Sequence, residues 1–155
     1  MVMVFGQHSM TIELILLPLT MHPIPMEEKM NPYTKAPSGG PMVQHALSVL
    51  LECHLQGKIS IEKIVEKMAH NPAKLFDIDR RGFVREGYFA DLVLVDMEAP
   101  YTVSKENILY KCGWSPLEGQ RFRSRVTQSI VNGVLTYDNG VFSSESAAMA
   151  VKFKR

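Results

Sequence analysis

The chain has 155 residues, 46% of them hydrophobic and 21% charged, enough for one domain with an ordinary buried core. A net charge of +1 gives no electrostatic basis for nucleic acid or a membrane surface as partner. Two cysteines, Cys53 and Cys112, neither in a CxxC, exclude a disulfide framework and a zinc knuckle and predict reduced thiols in a cytoplasmic protein.

Residues 1–25 match no regular element. The stretch 12–19 is apolar apart from Glu13 and Pro18, too short to span a bilayer, and no Lys or Arg precedes it as a signal peptide requires. Residues 32–41 read as a loop, because Pro32, Pro37, Gly39, Gly40 and Pro41 crowd it. A helix follows from Met42, with Val43, Ala46, Leu47, Leu50 and Leu51 on one face and Gly57 as its left-handed cap. Ser60 caps a second helix whose apolar stripe is Ile61, Ile64, Val65 and Met68. Asn71-Pro72 starts a third, with Leu75 and Phe76 as its buried side.

The pattern then changes to strands. Residues 90–96 form a short apolar run bracketed by Asp91 and Asp96, as expected for a strand buried on both faces, with Gly82 and Gly87 marking the turns before it. Residues 126–131 and 134–137 flank Asn132-Gly133, a hairpin signal because both central residues of a type I′ turn need positive φ. Asn139-Gly140 repeats it towards Val141-Phe142, and the polar tail 143–155 is expected to be loose. The order is three helices, then a small antiparallel sheet: an α+β arrangement without a catalytic constellation.

The chemistry-bearing side chains read as structural. His45 and His54 do not have the i, i+4 spacing that places two ligands over one another, so helix-surface positions are expected. His70 closes the second helix, where a cationic imidazole favours the dipole. Asp91 and Asp96 have an odd separation that puts them on opposite strand faces, which suits solvation and turn bonding. Arg121, Arg123 and Arg125 alternate on a solvated strand face, and Ser115 has no base placed by the sequence.

Several of these stretches resemble the C-terminal part of the amidohydrolase superfamily, and specifically dihydroorotase. His70-Asn71-Pro72-Ala73-Lys74-Leu75-Phe76 is similar to the family's last helix, and Gly87-Tyr88-Phe89-Ala90-Asp91-Leu92-Val93-Leu94-Val95-Asp96 to its return into a small β-sandwich. Trp114-Ser115-Pro116-Leu117-Glu118-Gly119, followed by 126–133, resembles the closing segment of dihydroorotases. Residues 31–41, with Ala36-Pro37-Ser38-Gly39, resemble the loop after the last metal-binding strand.

The resemblance implies a (β/α)8 TIM barrel with a flanking β-sandwich. Residues 26–80 would be the last barrel loop and helices, 81–142 part of the sandwich, and 143–155 a tail. A whole barrel needs about 250 residues, so this chain would be a C-terminal piece. The implied activity is reversible ring closure of N-carbamoyl-L-aspartate to dihydroorotate in pyrimidine biosynthesis, a small-molecule reaction in which zinc activates water and a metal-bound aspartate moves the proton. The family binds zinc through a His-x-His, a carboxylated lysine, two further histidines, and an aspartate in Asp-His-Ala-Pro-His just upstream of a Glu-Glu-Lys like Glu27-Glu28-Lys29. Neither His-x-His nor Asp-His occurs in this chain. No catalytic residue or metal ligand is therefore assigned, zinc is not expected to bind, and the chain is expected to be inactive. Backbone contact with substrate carries over onto Pro37, Ser38 and Gly39, although family members often have Phe-Gly at Ser38-Gly39. A plain turn is the alternative.

Where Asp-His-Ala-Pro-His would stand, the chain has Leu19-Thr20-Met21-His22-Pro23-Ile24-Pro25. Met21-His22 is encoded ATG-CAY, and reading two bases on yields GCA, an alanine codon. Synonymous codons exist for 12–25 that restore the whole metal strand in that frame. Residues 1–25 are thus expected to derive from a shifted frame, which makes His8 and His22 accidental; a new N-terminus on a decayed gene copy is the alternative. A partial sandwich would leave unpaired strand edges, sites for self-association. Two other readings stand beside the first: a non-catalytic remnant that binds an intact subunit, and a dihydropyrimidinase-like ring amidase, in which the Trp114–Gly119 segment is less expected.

Overall fold

The structure, a computed structural model, describes residues 24–154. The stretch 12–19, His8 and His22 lie outside the described residues.

A short helix α1, Met26–Lys29, precedes the turns of 32–41, and Lys29 Nζ donates to the Pro37 carbonyl at 2.6 Å. Helix α2 is Ala46–Leu55 and begins later than its apolar pattern suggests. The cause is Gln44: its backbone N–H donates to the Tyr110 hydroxyl (2.9 Å), its side chain donates to the Asn107 carbonyl, and its Oε1 accepts from Leu109 N–H. These bonds hold 42–45 as a turn and leave Val43 exposed. Gly57, at φ 73°, ends α2 as expected; Gly57 N–H reaches His54 O and Lys58 N–H reaches Cys53 O, the two bonds of a Schellman cap.

Helix α3, Ile61–Val65, is capped by Ser60, whose hydroxyl accepts from Lys63 N–H at 3.2 Å. It does not stop before Asn71-Pro72. Glu66–His70 is a π-helical turn in which Asn71 N–H bonds to Glu66 O, and α4, Asn71–Leu75, continues directly. Pro72 has no N–H and would crowd the carbonyl four residues back; widening the turn there relieves the clash without ending the rod. Asn71 is therefore a helical residue, not a cap, and His70 lies inside the rod. Buried sites are Ile64 and Ala73, while Val65, Met68, Leu75 and Phe76 are exposed.

Four antiparallel strands follow in the order β1-β4-β5-β6: Leu92–Asp96, Arg125–Val131, Val134–Asp138 and Val141–Phe142. Both hairpins form where Asn-Gly predicts them, with Asn132 at φ 51° and Asn139 at φ 45°. A separate two-stranded ladder, β2 (Tyr101–Thr102) with β3 (Arg121–Phe122), was not legible from the pattern. Strand β1 is not buried on both faces: Val93 is 53% and Leu94 43% exposed. Among the described residues it is an edge strand paired with β4, and Val95, with Met97 just beyond it, packs on the helical core of Leu50, Leu51 and Ile64. The tail 143–154 makes contacts with the rest of the chain. Phe153 bridges Ile78, Lys152 O accepts from Asp79 N–H, and Ala147 O accepts from Asn132 Nδ2. No helix among the described residues is long and apolar enough to cross a membrane.

Candidate functional site

The two stretches nearest to function in the sequence meet in space. Trp114 Nε1 donates to Ile24 O at 2.8 Å, and a Cβ placed on Gly40 would lie 4.0 Å from the Trp114 ring. The Trp-Ser-Pro-Leu-Glu-Gly segment therefore closes over the end of the 32–41 loop. Within that loop Pro37 is half-buried, Ser38 is exposed, and Gly39 takes φ 96°, a value that favours glycine.

Ser115, next to Trp114, belongs with His45, Ser48 and Ser124 to the buried polar residues of the core. His45 is fully buried at the start of α2, its ring stacked on Phe122 (6.4 Å) and edge-on to Tyr110 (5.9 Å). This corrects the helix-surface expectation: the turn at 42–45 directs the ring inward. Burial lowers its pKa below the ordinary histidine value. Ser115 Oγ lies 3.5 Å from His45 Nδ1, so the fold does bring a base to Ser115 across 70 positions, which the sequence did not indicate. The pair is not a nucleophile and base with access to substrate. Both residues are buried, the separation is at the outer limit of a hydrogen bond, and Ser115 Oγ also accepts from Leu117 N–H at 3.2 Å. His45 Nε2 and Ser124 Oγ are buried without a hydrogen-bond partner among the described residues.

The other candidates disperse. His54 Nδ1 donates to Ile59 O at 2.9 Å. His70 stacks on Phe83 at 4.3 Å instead of closing a helix. Asp91 accepts from Asn132 N–H and pairs with Arg81, which also donates to Asn132 Oδ1; Asp96 accepts from Glu98 N–H. The three arginines do not share a face. Arg121 is in β3, Arg123 pairs with Glu52 at 2.9 Å, and Arg125 lies over Tyr101. Burial works against ionisation of Glu52, but the bonds from Arg123 and Gln56, with the Arg123 charge, together outweigh it and lower the pKa. Cys53 is buried and Cys112 Sγ contacts Trp114 O. Among the described residues, no three His, Cys, Asp or Glu side chains converge to hold a metal ion. The described residues do not fit the zinc that the family resemblance implies.

Known proteins define first a class. An L-hydantoinase (dihydropyrimidinase) from Arthrobacter aurescens matches with a TM-score of 0.68 at 26% identity, over 74% of this chain and 26% of that one. The chain has the fold of part of a cyclic-amide amidohydrolase. Sequence narrows the class. A dihydroorotase from Pyrococcus furiosus is 38% identical over 96 residues, 62% of this chain and 23% of the relative. One from Clostridioides difficile is 36% identical over 136 residues, 86% of this chain and 31% of the relative. The chain is dihydroorotase-like. It spans about a quarter of the length of the curated relatives it matches. No family model matches it.

Proposed function

We propose that this chain is the C-terminal piece of a dihydroorotase-type enzyme and does not catalyse by itself. Residues 26–80 would serve as the last barrel loop and helices, and 81–142 as part of the flanking sandwich. The intact enzyme would interconvert N-carbamoyl-L-aspartate and dihydroorotate in the cytoplasm. The observation that carries this reading is the pairing of sequence identity to dihydroorotases with a described structure whose acids, histidines and thiols are scattered or buried. Pro37, Ser38 and Gly39 would touch substrate through backbone groups in the intact enzyme. Gly39 takes φ 96° and carries no Cβ to shield its backbone groups, which supports that role. Residues 1–25 would derive from a shifted frame, and codons there that are incompatible with the Asp-His-Ala-Pro-His reading would dispose of the idea. Assay of the purified chain for ring opening of dihydroorotate, with metal analysis, tests the central reading: neither turnover nor stoichiometric zinc is expected.

A second reading, a dihydropyrimidinase-like ring amidase, is favoured by hydantoinases among the fold neighbours. The higher identity to dihydroorotases weighs against it. Substrate comparison on an intact enzyme carrying this segment separates the two.

A further inference from the structure

A cleft of about 240 Å³ opens between the end of α4, the 77–88 loop and the C-terminal segment. Its polar lining is Lys74, Asp77, Arg81, Tyr88 and Lys154, with Phe83 as an apolar wall. The Phe83 ring is stacked on His70 at 4.3 Å, with Lys74 Nζ 5.8 Å and Arg85 4.5 Å from its centroid. Arg81 is neutralised by Asp91, but Lys74 and Lys154 have no ion pair among the described residues. Lys154 is held there by backbone: its N–H donates to Asp77 O at 2.7 Å, beside the Ile78–Phe153 bridge and the Asp79-to-Lys152 bond at 2.8 Å. The lining holds Lys74, Arg81 and Lys154 against one carboxylate, Asp77, with Asp91 paired to Arg81, and this excess of positive charge favours an anionic ligand.

We propose that this cleft binds a small multivalent anion, a compound bearing phosphate groups or two carboxylates. Lys74 and Lys154 supply the charge and the Tyr88 hydroxyl a further donor. Asp77 accepts from a hydroxyl or ammonium donor where the same molecule carries one. The volume is below the roughly 300 Å³ at which drug-sized ligands begin to be accommodated, so the ligand is metabolite-sized. This site includes none of the residues assigned to substrate contact, Pro37, Ser38 and Gly39.

The test is titration of the full chain with inorganic pyrophosphate and, separately, with succinate, followed by amide chemical shifts at low salt. Saturable shifts confined to 73–88 and 152–154 with either probe are expected, and the probe that saturates at lower concentration identifies phosphate or carboxylate as the source. Lys74→Ala and Lys154→Ala should each weaken binding roughly fivefold, the effect of one modest charge pair, while Lys111→Ala should leave it unchanged. Lys154 is held by its backbone, so its side-chain variant keeps the fold. Absence of saturation with both probes, shifts spread over surface lysines, or unchanged affinity in both cleft variants overturns the proposal.

Discussion

The indole N–H of Trp114 reaches the carbonyl of Ile24 across 2.8 Å, joining two points 90 positions apart. Ile24 is buried, so this carbonyl has no easy recourse to solvent. Trp114→Phe keeps an aromatic ring but removes the donor. Stranding a buried acceptor costs about 1–3 kcal/mol, and a urea denaturation midpoint lowered by that loss divided by the m-value is expected. An unshifted midpoint would mean that the contact is dispensable.

Two glycines separate backbone strain from steric collision. Gly87 sits at φ +77° with nothing within 4 Å of an added Cβ; Gly82 sits at φ +79°, but its Cβ would lie 2.4 Å from Ala73 Cβ and 2.7 Å from Ala69 O. Gly87→Ala should cost about 1–2 kcal/mol, the left-handed penalty alone. Gly82→Ala should cost that plus about 1–3 kcal/mol of overpacking, because a helix carbonyl cannot move aside like a flexible side chain. Denaturant unfolding of the two variants measures the difference, and equal losses would contradict the close approach of Gly82 to the helical rod.

His45 predicts a loss of stability in mild acid. In the unfolded chain its imidazole protonates near pH 6.5, whereas burial lowers the folded value. Between the two the unfolded state binds more protons. Stability is thus fully present above about pH 6.5 and falls as pH drops towards the folded-state pKa. Unfolding free energy at pH 5.5 should be lower than at pH 7.5 by up to about 1.4 kcal/mol from this group. His45→Phe should flatten that part of the profile, and an identical slope in the variant would rule the imidazole out as its source.

What could be read in advance follows the range of the interactions. The Asn132-Gly133 and Asn139-Gly140 hairpins, the Ser60 cap and the Gly57 terminus depend on residues within a turn of one another, and all are found. The continuous rod across Pro72 was hidden because the π turn that admits proline leaves no local signature. Burial of His45 depends on Phe122, Tyr110 and Ser115, all more than 60 positions away. Exposure of β1 follows from its edge position, which an apolar run cannot reveal. The candidate substrate loop at Pro37, Ser38 and Gly39 rests on resemblance, because no periodicity or spacing marks it.

The most direct measurement is zinc content together with dihydroorotate turnover on these 155 residues, purified away from any intact dihydroorotase. The account predicts substoichiometric metal and a rate indistinguishable from buffer. Tightly held zinc at one or more ions per chain, accompanied by ring opening, would contradict it.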